Sequence, residues 1–231
     1  MGNKIFLVLG GSRSGKSEFA EELMYHSTGK RKGYVATSRI LDDEMKYRVI
    51  LHQKRRPEDW KTFEILGEVS GKIGFVLMEA DTVLFDCITM YVNNILMEHL
   101  ANKDNETLGI NDLTALQTLL EKDLELLFNI ISQTDNKEII FVSDELGMGI
   151  VPANAMSRVY RDLVGLANQY VAQKADKVYL ATDPDREGEA ISWHLSTILD
   201  VDPDKNVRVA FHEITPPAIK EAIKNPVSVD M

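Results

Sequence analysis

Residues 10–17, GGSRSGKS, have the spacing G-x-x-x-x-G-K-S between an apolar run and a helical one. In that spacing the glycines turn backbone N–H groups onto phosphate oxygens, and the helix start adds its positive end. Lys16 then reaches the β- and γ-phosphates of a nucleotide, and the Ser17 hydroxyl binds Mg²⁺. A second Mg²⁺ partner belongs at the end of a neighbouring strand. Asp86 closes TVLFD, and Asp144 with Glu145 closes IIFVSDE. Carboxylates at such places also cap helices, and the sequence leaves both uses open. A second group follows in DDEMKYRVILHQKRRPEDW, where Glu44, Arg48 and His52 are spaced by four and share one helix face. Lys54, Arg55 and Arg56 come directly after and could hold a triphosphate while a neutral imidazole attacks its α-phosphorus. The product would be a phosphoramidate; the plain alternative is a solvated surface histidine. A third group lies in YLATDPDREGEAISWHL, with carboxylates at Asp183, Asp185, Glu187 and Glu189. Asp183 and Asp185 leave a strand at alternate positions, point to one side, and would ligate one Mg²⁺.

The elements that must position these groups alternate along the chain. KIFLVLGG reads as a buried parallel strand ended by glycines, and SEFAEELMYH as the helix after it. GYVATS is a short strand. The histidine-bearing segment is a helix with an acidic start and a stop at Pro57. DTVLFDCITMYVNNILMEHL begins as a strand ending near Asp86 and becomes a helix, and the polar NKDNET is a loop. Leucines and isoleucines at 113, 116, 120, 124, 127 and 131 mark an amphipathic helix over 112–133. Then come strand EIIFVSDE, a long helix introduced by Pro152, strand KVYLAT, helix GEAISWHLSTIL, strand VRVAFHEIT and helix PPAIKEAIKN. This alternation predicts an open, mostly parallel α/β sheet.

The 231 residues suffice for one large domain, or one domain with a small appendage. At 44% hydrophobic and 27% charged, the composition is that of an ordinary soluble globular protein. No apolar run approaches the ~20 residues that cross a bilayer, so membrane insertion is not expected. The first apolar stretch runs straight into the glycine-rich loop, unlike a signal peptide. The one cysteine, Cys87, excludes an intramolecular disulfide and fits a reducing cytoplasm. A net charge of −10 argues against nonspecific binding to nucleic acid. Beyond Ala181, ten acids stand against five lysines and arginines, the wrong sign for a DNA-gripping module.

The blocks GGSRSGKSEFAEEL, YVATSRILDDEMKYRVILHQKRRPEDWKTFE, DCITMYVNNIL and VSDELGMGIVPANAMSRVYRDLVGLANQYVAQKADKVYL together resemble the bifunctional adenosylcobinamide kinase/adenosylcobinamide-phosphate guanylyltransferases of cobalamin biosynthesis. The resemblance runs in order from residue 4 to about 180 and implies a RecA-like P-loop domain over 1–178. It implies phosphorylation of adenosylcobinamide by ATP or GTP, with Mg²⁺, followed by transfer of GMP from GTP through a histidine. By the same resemblance, nucleotide is held by Gly10, Gly11, Ser12, Arg13, Ser14, Gly15, Lys16, Ser17 and Glu18, and by Ala36, Thr37 and Ser38. His52 becomes the guanylylated nucleophile, with Gln53, Lys54, Arg55 and Arg56 on the triphosphate. Glu64 and Asp86 fall at further nucleotide-contacting positions, and the assembly implied is a homotrimer.

Residues 179–231 depart from that pattern. YLATDPDREGEAISWHL and VRVAFHEITPPAIKEAI instead resemble part of the Toprim domain of type IA DNA topoisomerases, in which alternating acids bind Mg²⁺ beside the DNA break. The further glutamate, the tyrosine domain and the DNA-encircling domains that such an enzyme needs have no counterpart in this sequence. The expectation is a short structural βαβα extension of Toprim-like sequence that leaves DNA alone. Two competing readings are a nucleotide-binding relic with one activity lost, and a DNA-processing fragment.

Overall fold

Successive side chains of a buried parallel strand face opposite helical layers, so such a strand can be apolar throughout. The first strand, β1 (Lys4–Gly10), is of this kind. Its Leu7 and Leu9 enter the core on one side of the sheet, while Val8 enters the core on the other. The same division recurs in β4 (Thr82–Asp86), where Val83 and Phe85 face one side and Leu84 the other. In β5 (Glu138–Asp144), Ile139 and Phe141 oppose Ile140 and Val142. The computed structural model describes residues 2–40, 42–101, 108–200, 206–210, 215–224 and 226–229. The polar stretch 102–107, the segment 211–214 of the expected last strand and the Arg48 side chain lie outside the described residues.

Completing the sheet among the described residues are β2 (Lys32–Ala36), β3 (Lys61–Glu64), β6 (Lys177–Ala181) and β7 (Asn206–Val209), in the order β3-β2-β4-β5-β1-β6-β7. Every pairing is parallel. Helix α1 (Lys16–His26) and α8 (Pro216–Lys224) cover one face, where Phe19, Met24 and Ile219 share a core with Val8 and Tyr179. On the other face lie α3 (Val69–Glu79), α4 (Ile88–Ala101), α5 (Ile110–Ser132), α6 (Ala155–Lys174) and α7 (Arg186–Ile198). Helix α2 (Asp43–Arg55) begins at an Asp42 cap whose side chain accepts from the Met45 N–H at 2.7 Å. None of its described side chains belongs to either core.

The parallel α/β architecture agrees with the alternation of the sequence. Helix α6 is capped by Asn154 rather than opened by Pro152, with the Asn154 side chain accepting from the Ser157 N–H. The pair β3 and α3 had no counterpart in the sequence reading. Strands β1, β4 and β5 lie at the centre, so their C-terminal ends, Gly10, Asp86 and Asp144, open onto one region. In a parallel sheet such a place is where ligands bind.

Candidate functional site

Strand β1 delivers the chain to Gly10, where a side chain has no room. A Cβ there would sit 2.4 Å from the Ala181 carbonyl oxygen and 2.5 Å from the Ser14 hydroxyl. The loop turns back with Ser14 N–H donating to the Gly11 carbonyl at 3.2 Å. Gly15 then takes a left-handed φ of 77°, which a glycine adopts without a Cβ penalty. Gly15 is also the N-cap of α1 and supplies no side-chain cap, so the first N–H groups of that helix stay free for an anion.

Lys16 follows at once and is 8% exposed. Its Nζ donates to the Gly11 carbonyl at 3.1 Å and lies 2.5 Å from Asp144 Oδ1. The other Asp144 oxygen accepts from the Thr89 hydroxyl at 2.8 Å, so the carboxylate is fixed from two sides. Glu145 ties β5 to the loop through its N–H, which donates to the Gly10 carbonyl at 3.0 Å.

At the end of β4, Asp86 Oδ2 accepts from the Tyr34 hydroxyl at 2.6 Å. Burial, then the Asp86 carboxylate, push the Tyr34 phenol well above its ordinary range, so it remains a donor. The Arg56 guanidinium stacks over the Tyr34 ring at 3.2 Å, a cation–π contact in a largely dry place. His52 Nδ1 lies 3.9 Å from Asp86 Oδ2, 3.8 Å from Glu21 Oε1 and 3.1 Å from Arg55 Nη2. Arg55 also pairs with Glu18 and reaches Glu21 at 3.5 Å, joining α2 to α1. Thr37 is fully buried, and its hydroxyl both donates to the Cys87 carbonyl and accepts from the Cys87 N–H at 2.8 Å. Burial, with Asp86 and Asp144 nearby, pushes the Cys87 thiol up to about 12.

One cavity of about 730 Å³ joins these parts. Its wall includes Ser12, Arg13, Ser14, Gly15, Lys16, Ser17 and Glu18, then Ala36, Ser38, His52, Gln53, Arg56, Glu64, Asp86 and Asp144. Gly10, Gly11, Thr37, Lys54 and Arg55 are not on that wall. The three consecutive cations diverge because Lys54 and Arg55 are adjacent helical positions about 100° apart, and Arg56 follows as the extended C-cap of α2. Arg56 faces the cavity, Arg55 turns to the carboxylates of α1, and Lys54 is exposed. Tyr34, Thr89 and Glu21 were not singled out in the sequence. Glu21 alone left a signal, one helical turn beyond Glu18 on the helix that follows the loop.

The acids of DPDREGE sit apart from this cavity. Asp185 caps α7, its Oδ1 accepting from the Gly188 N–H at 2.7 Å. Arg208, 5% exposed, donates to the carbonyls of Asp183 and Asp185 at 2.7 and 3.1 Å. Its guanidinium also lies 3.5 Å from Glu189. Gly188 is obligatory, since a Cβ would lie 2.0 Å from the Asp183 carbonyl oxygen. Among the described residues, no group of three His, Cys, Asp or Glu is arranged to hold a metal ion. Nor is any described helix long and apolar enough to cross a membrane.

An all-parallel α/β sheet with a glycine-rich loop, a buried lysine and two carboxylates at its central strand ends defines a class: proteins built to hold and move phosphate groups. Residues 6–183 match the family described as cobinamide kinase / cobinamide phosphate guanyltransferase. The bifunctional adenosylcobalamin biosynthesis protein CobU of Salmonella typhimurium strain LT2 is 37% identical over 176 residues, 76% of this chain and 94% of that protein. The Escherichia coli K12 protein of the same name is 36% identical over the same shares. The bifunctional adenosylcobalamin biosynthesis protein CobP of Pseudomonas aeruginosa is 31% identical over 172 residues, 74% of this chain and 89% of that protein. The chain belongs to the cobinamide kinase / cobinamide phosphate guanylyltransferase family.

Proposed function

We propose that this chain phosphorylates adenosylcobinamide with ATP or GTP and then transfers GMP from GTP to the new phosphate through a guanylyl-histidine at His52. The observation that carries the proposal is that Lys16 and His52 line one cavity. In the first reaction the substrate hydroxyl attacks the γ-phosphorus and gives its proton to water, a P–O bond forms, and the bond from the γ-phosphorus to the β,γ-bridging oxygen breaks. Lys16 leaves Asp144 for the phosphates and neutralises charge that moves toward the leaving oxygen. In the second, a His52 nitrogen attacks the α-phosphorus of GTP, a P–N bond forms and pyrophosphate departs. The phosphate made in the first reaction then attacks the same phosphorus, and the P–N bond breaks to return His52.

The residues present fit Mg²⁺. Ser17, Asp86 and Asp144 put three hard oxygen donors on the cavity wall, and this ion needs only one or two protein carboxylates beside phosphate oxygens and water. Bound there, it neutralises phosphate charge. The same reading takes Gly11, Arg13, Ser38, Gln53, Arg56 and Glu64 as nucleotide contacts, with a cytoplasmic homotrimer as the assembly. Residues 179–231 serve as a structural extension of the 1–178 domain, with no DNA among the partners.

Treatment with GTP tests the proposal. The expected product is a protein heavier by one GMP, with the adduct mapped to His52, labile in acid and stable in alkali. His52→Asn abolishes the adduct and keeps phosphorylation of adenosylcobinamide. An adduct that persists in His52→Asn, or maps to another histidine, defeats the nucleotidyl-transfer half.

A further inference from the structure

Arginine has hydrogen-bond donors and no acceptor. The 3.1 Å contact between Arg55 Nη2 and His52 Nδ1 therefore requires Nδ1 to be the acceptor, which places the neutral ring's hydrogen on Nε2. In that tautomer neither nitrogen offers a lone pair to phosphorus: Nδ1 spends its pair on Arg55, and Nε2 carries the hydrogen. His52 as found is a masked nucleophile. Unmasking it needs a second acceptor near Nδ1, so that the hydrogen can reside there and leave Nε2 bare.

Two carboxylates are within reach. Asp86 Oδ2, at 3.9 Å, is already the acceptor of the Tyr34 hydroxyl at 2.6 Å. Among the described residues Glu21 Oε1, at 3.8 Å, is held by Arg55 Nη2 alone, at 3.5 Å, the same nitrogen that blocks His52. One departure thus frees both atoms of the new bond, which then closes by about 1 Å to reach an ordinary length. The Glu21 side chain is 13% exposed, so its charge is poorly solvated and responds strongly to a partner. The trigger is on the cavity wall: Glu18, the other anchor of Arg55, lines it beside the phosphate loop. A triphosphate there repels Glu18 and attracts the guanidinium.

We propose that Glu21 is the positioning residue for His52, and that Arg55 holds the histidine in its non-nucleophilic tautomer until a nucleoside triphosphate draws Arg55 away. On that departure Nε2 gives its proton to water, and Nδ1 takes one from water and donates it to Glu21. Nε2 then attacks, and Glu21 balances the positive ring. The proposal rests on the nucleotidyl-transfer reading above.

Nitrogen-15 imidazole spectra of the full chain test it, with His52→Asn identifying the signals. The expected result is the Nε2–H tautomer in the free protein and the Nδ1–H tautomer with α,β-methylene GTP, which cannot transfer GMP. In Glu21→Gln the free spectrum persists, the switch is lost, and His52 guanylylation falls at least about 100-fold more than adenosylcobinamide phosphorylation does. The corresponding change of aspartate to asparagine behind another catalytic histidine costs about 10⁴. Glu21→Asp recovers part of the loss. An Nδ1–H tautomer in the free protein, or equal loss of both reactions in Glu21→Gln, overturns the proposal, as does normal guanylylation in that variant. Each of those results leaves the nucleotidyl-transfer reading standing if His52→Asn still abolishes the adduct, whereas an adduct on His52→Asn removes that reading itself.

Discussion

Lys16→Ala separates what the lysine does for the reaction from what it does for the fold. Lys16 is 8% exposed, and its ammonium is held by Asp144 at 2.5 Å and by the Gly11 carbonyl at 3.1 Å. Removing one well-placed donor from a developing charge costs about 10²–10³ in rate, and a full cation on a phosphoryl group belongs at the upper end. A thousandfold loss corresponds to about 4 kcal/mol of transition-state stabilisation. The loss of stability is smaller. Asp144 keeps the Thr89 hydroxyl at 2.8 Å, and its side chain is 25% exposed, so water replaces part of the lost partner. About 1–2 kcal/mol is expected, less than for a fully buried pair. In a chain of this size that lowers Tm by only a few degrees. Chromatographic assay of adenosylcobinamide phosphate, beside calorimetry on the same samples, gives both numbers. A near-normal rate refutes the role of Lys16 in phosphoryl transfer. A rate loss matched by global unfolding shows that the lysine acts only through the fold.

Gly188→Ala is expected to destabilise by about 2–4 kcal/mol, because its Cβ would meet the Asp183 carbonyl at 2.0 Å and loosen the loop that Arg208 holds. Thermal unfolding checks this, and a wild-type Tm defeats the packing argument. Cys87, with its thiol pushed up to about 12 by burial, is expected to resist iodoacetamide at pH 8 in the native state and to react in guanidinium. The Arg31 guanidinium holds the Asp81 carboxyl down to about 2. This folded value lies below the ordinary value of about 3.9, so the stabilisation is complete above pH 4–5 and fades as pH falls toward 2. The stability gap between wild type and Asp81→Asn is therefore expected to close over that interval in urea titrations, and a constant gap refutes the linkage.

Much of the sheet was legible because parallel strands sandwiched between helices advertise themselves as apolar runs, as KIFLVLG does. β3 gave no such signal: it is four residues long, and Phe63 is its one buried side chain. Helix α3 carries Gly71 and Gly74 and follows Glu68 at φ 50°, so its helical pattern is diluted and its start lacks a usual cap residue. The phosphate loop was legible because its parts are contiguous. Tyr34 was not, since its importance arises only when β2 aligns beside β4 and brings its hydroxyl to Asp86, 52 positions away. The cluster KRR was legible as charge but not as direction, which depends on α2 ending at Arg55 and on Arg56 turning extended. DPDREGE was legible as carboxylates, while the use of Asp185 as a helix cap emerged from the turn into α7.

The position of β7 has a consequence for how such a chain can grow. A parallel sheet ends in an unpaired ladder of amides and carbonyls, and any strand offered in register can continue it. Here β7 takes that place beside β6, and Val227 closes the new border by exchanging bonds with Arg208 at 3.0 and 3.1 Å. All of this happens two strands from Gly10, on the flank away from Asp86 and Asp144. The chain that follows β6 can therefore dock there as a storey at the end of a terrace, without moving a wall of the central room. The attachment is not passive, however. Ile219 of α8 and Val209 of β7 share a core with Phe19 and Met24 of α1, the helix that begins at Lys16. Docked there, β7 and α8 brace the helix that carries the lysine, and removing them would unsettle a residue more than 150 positions upstream.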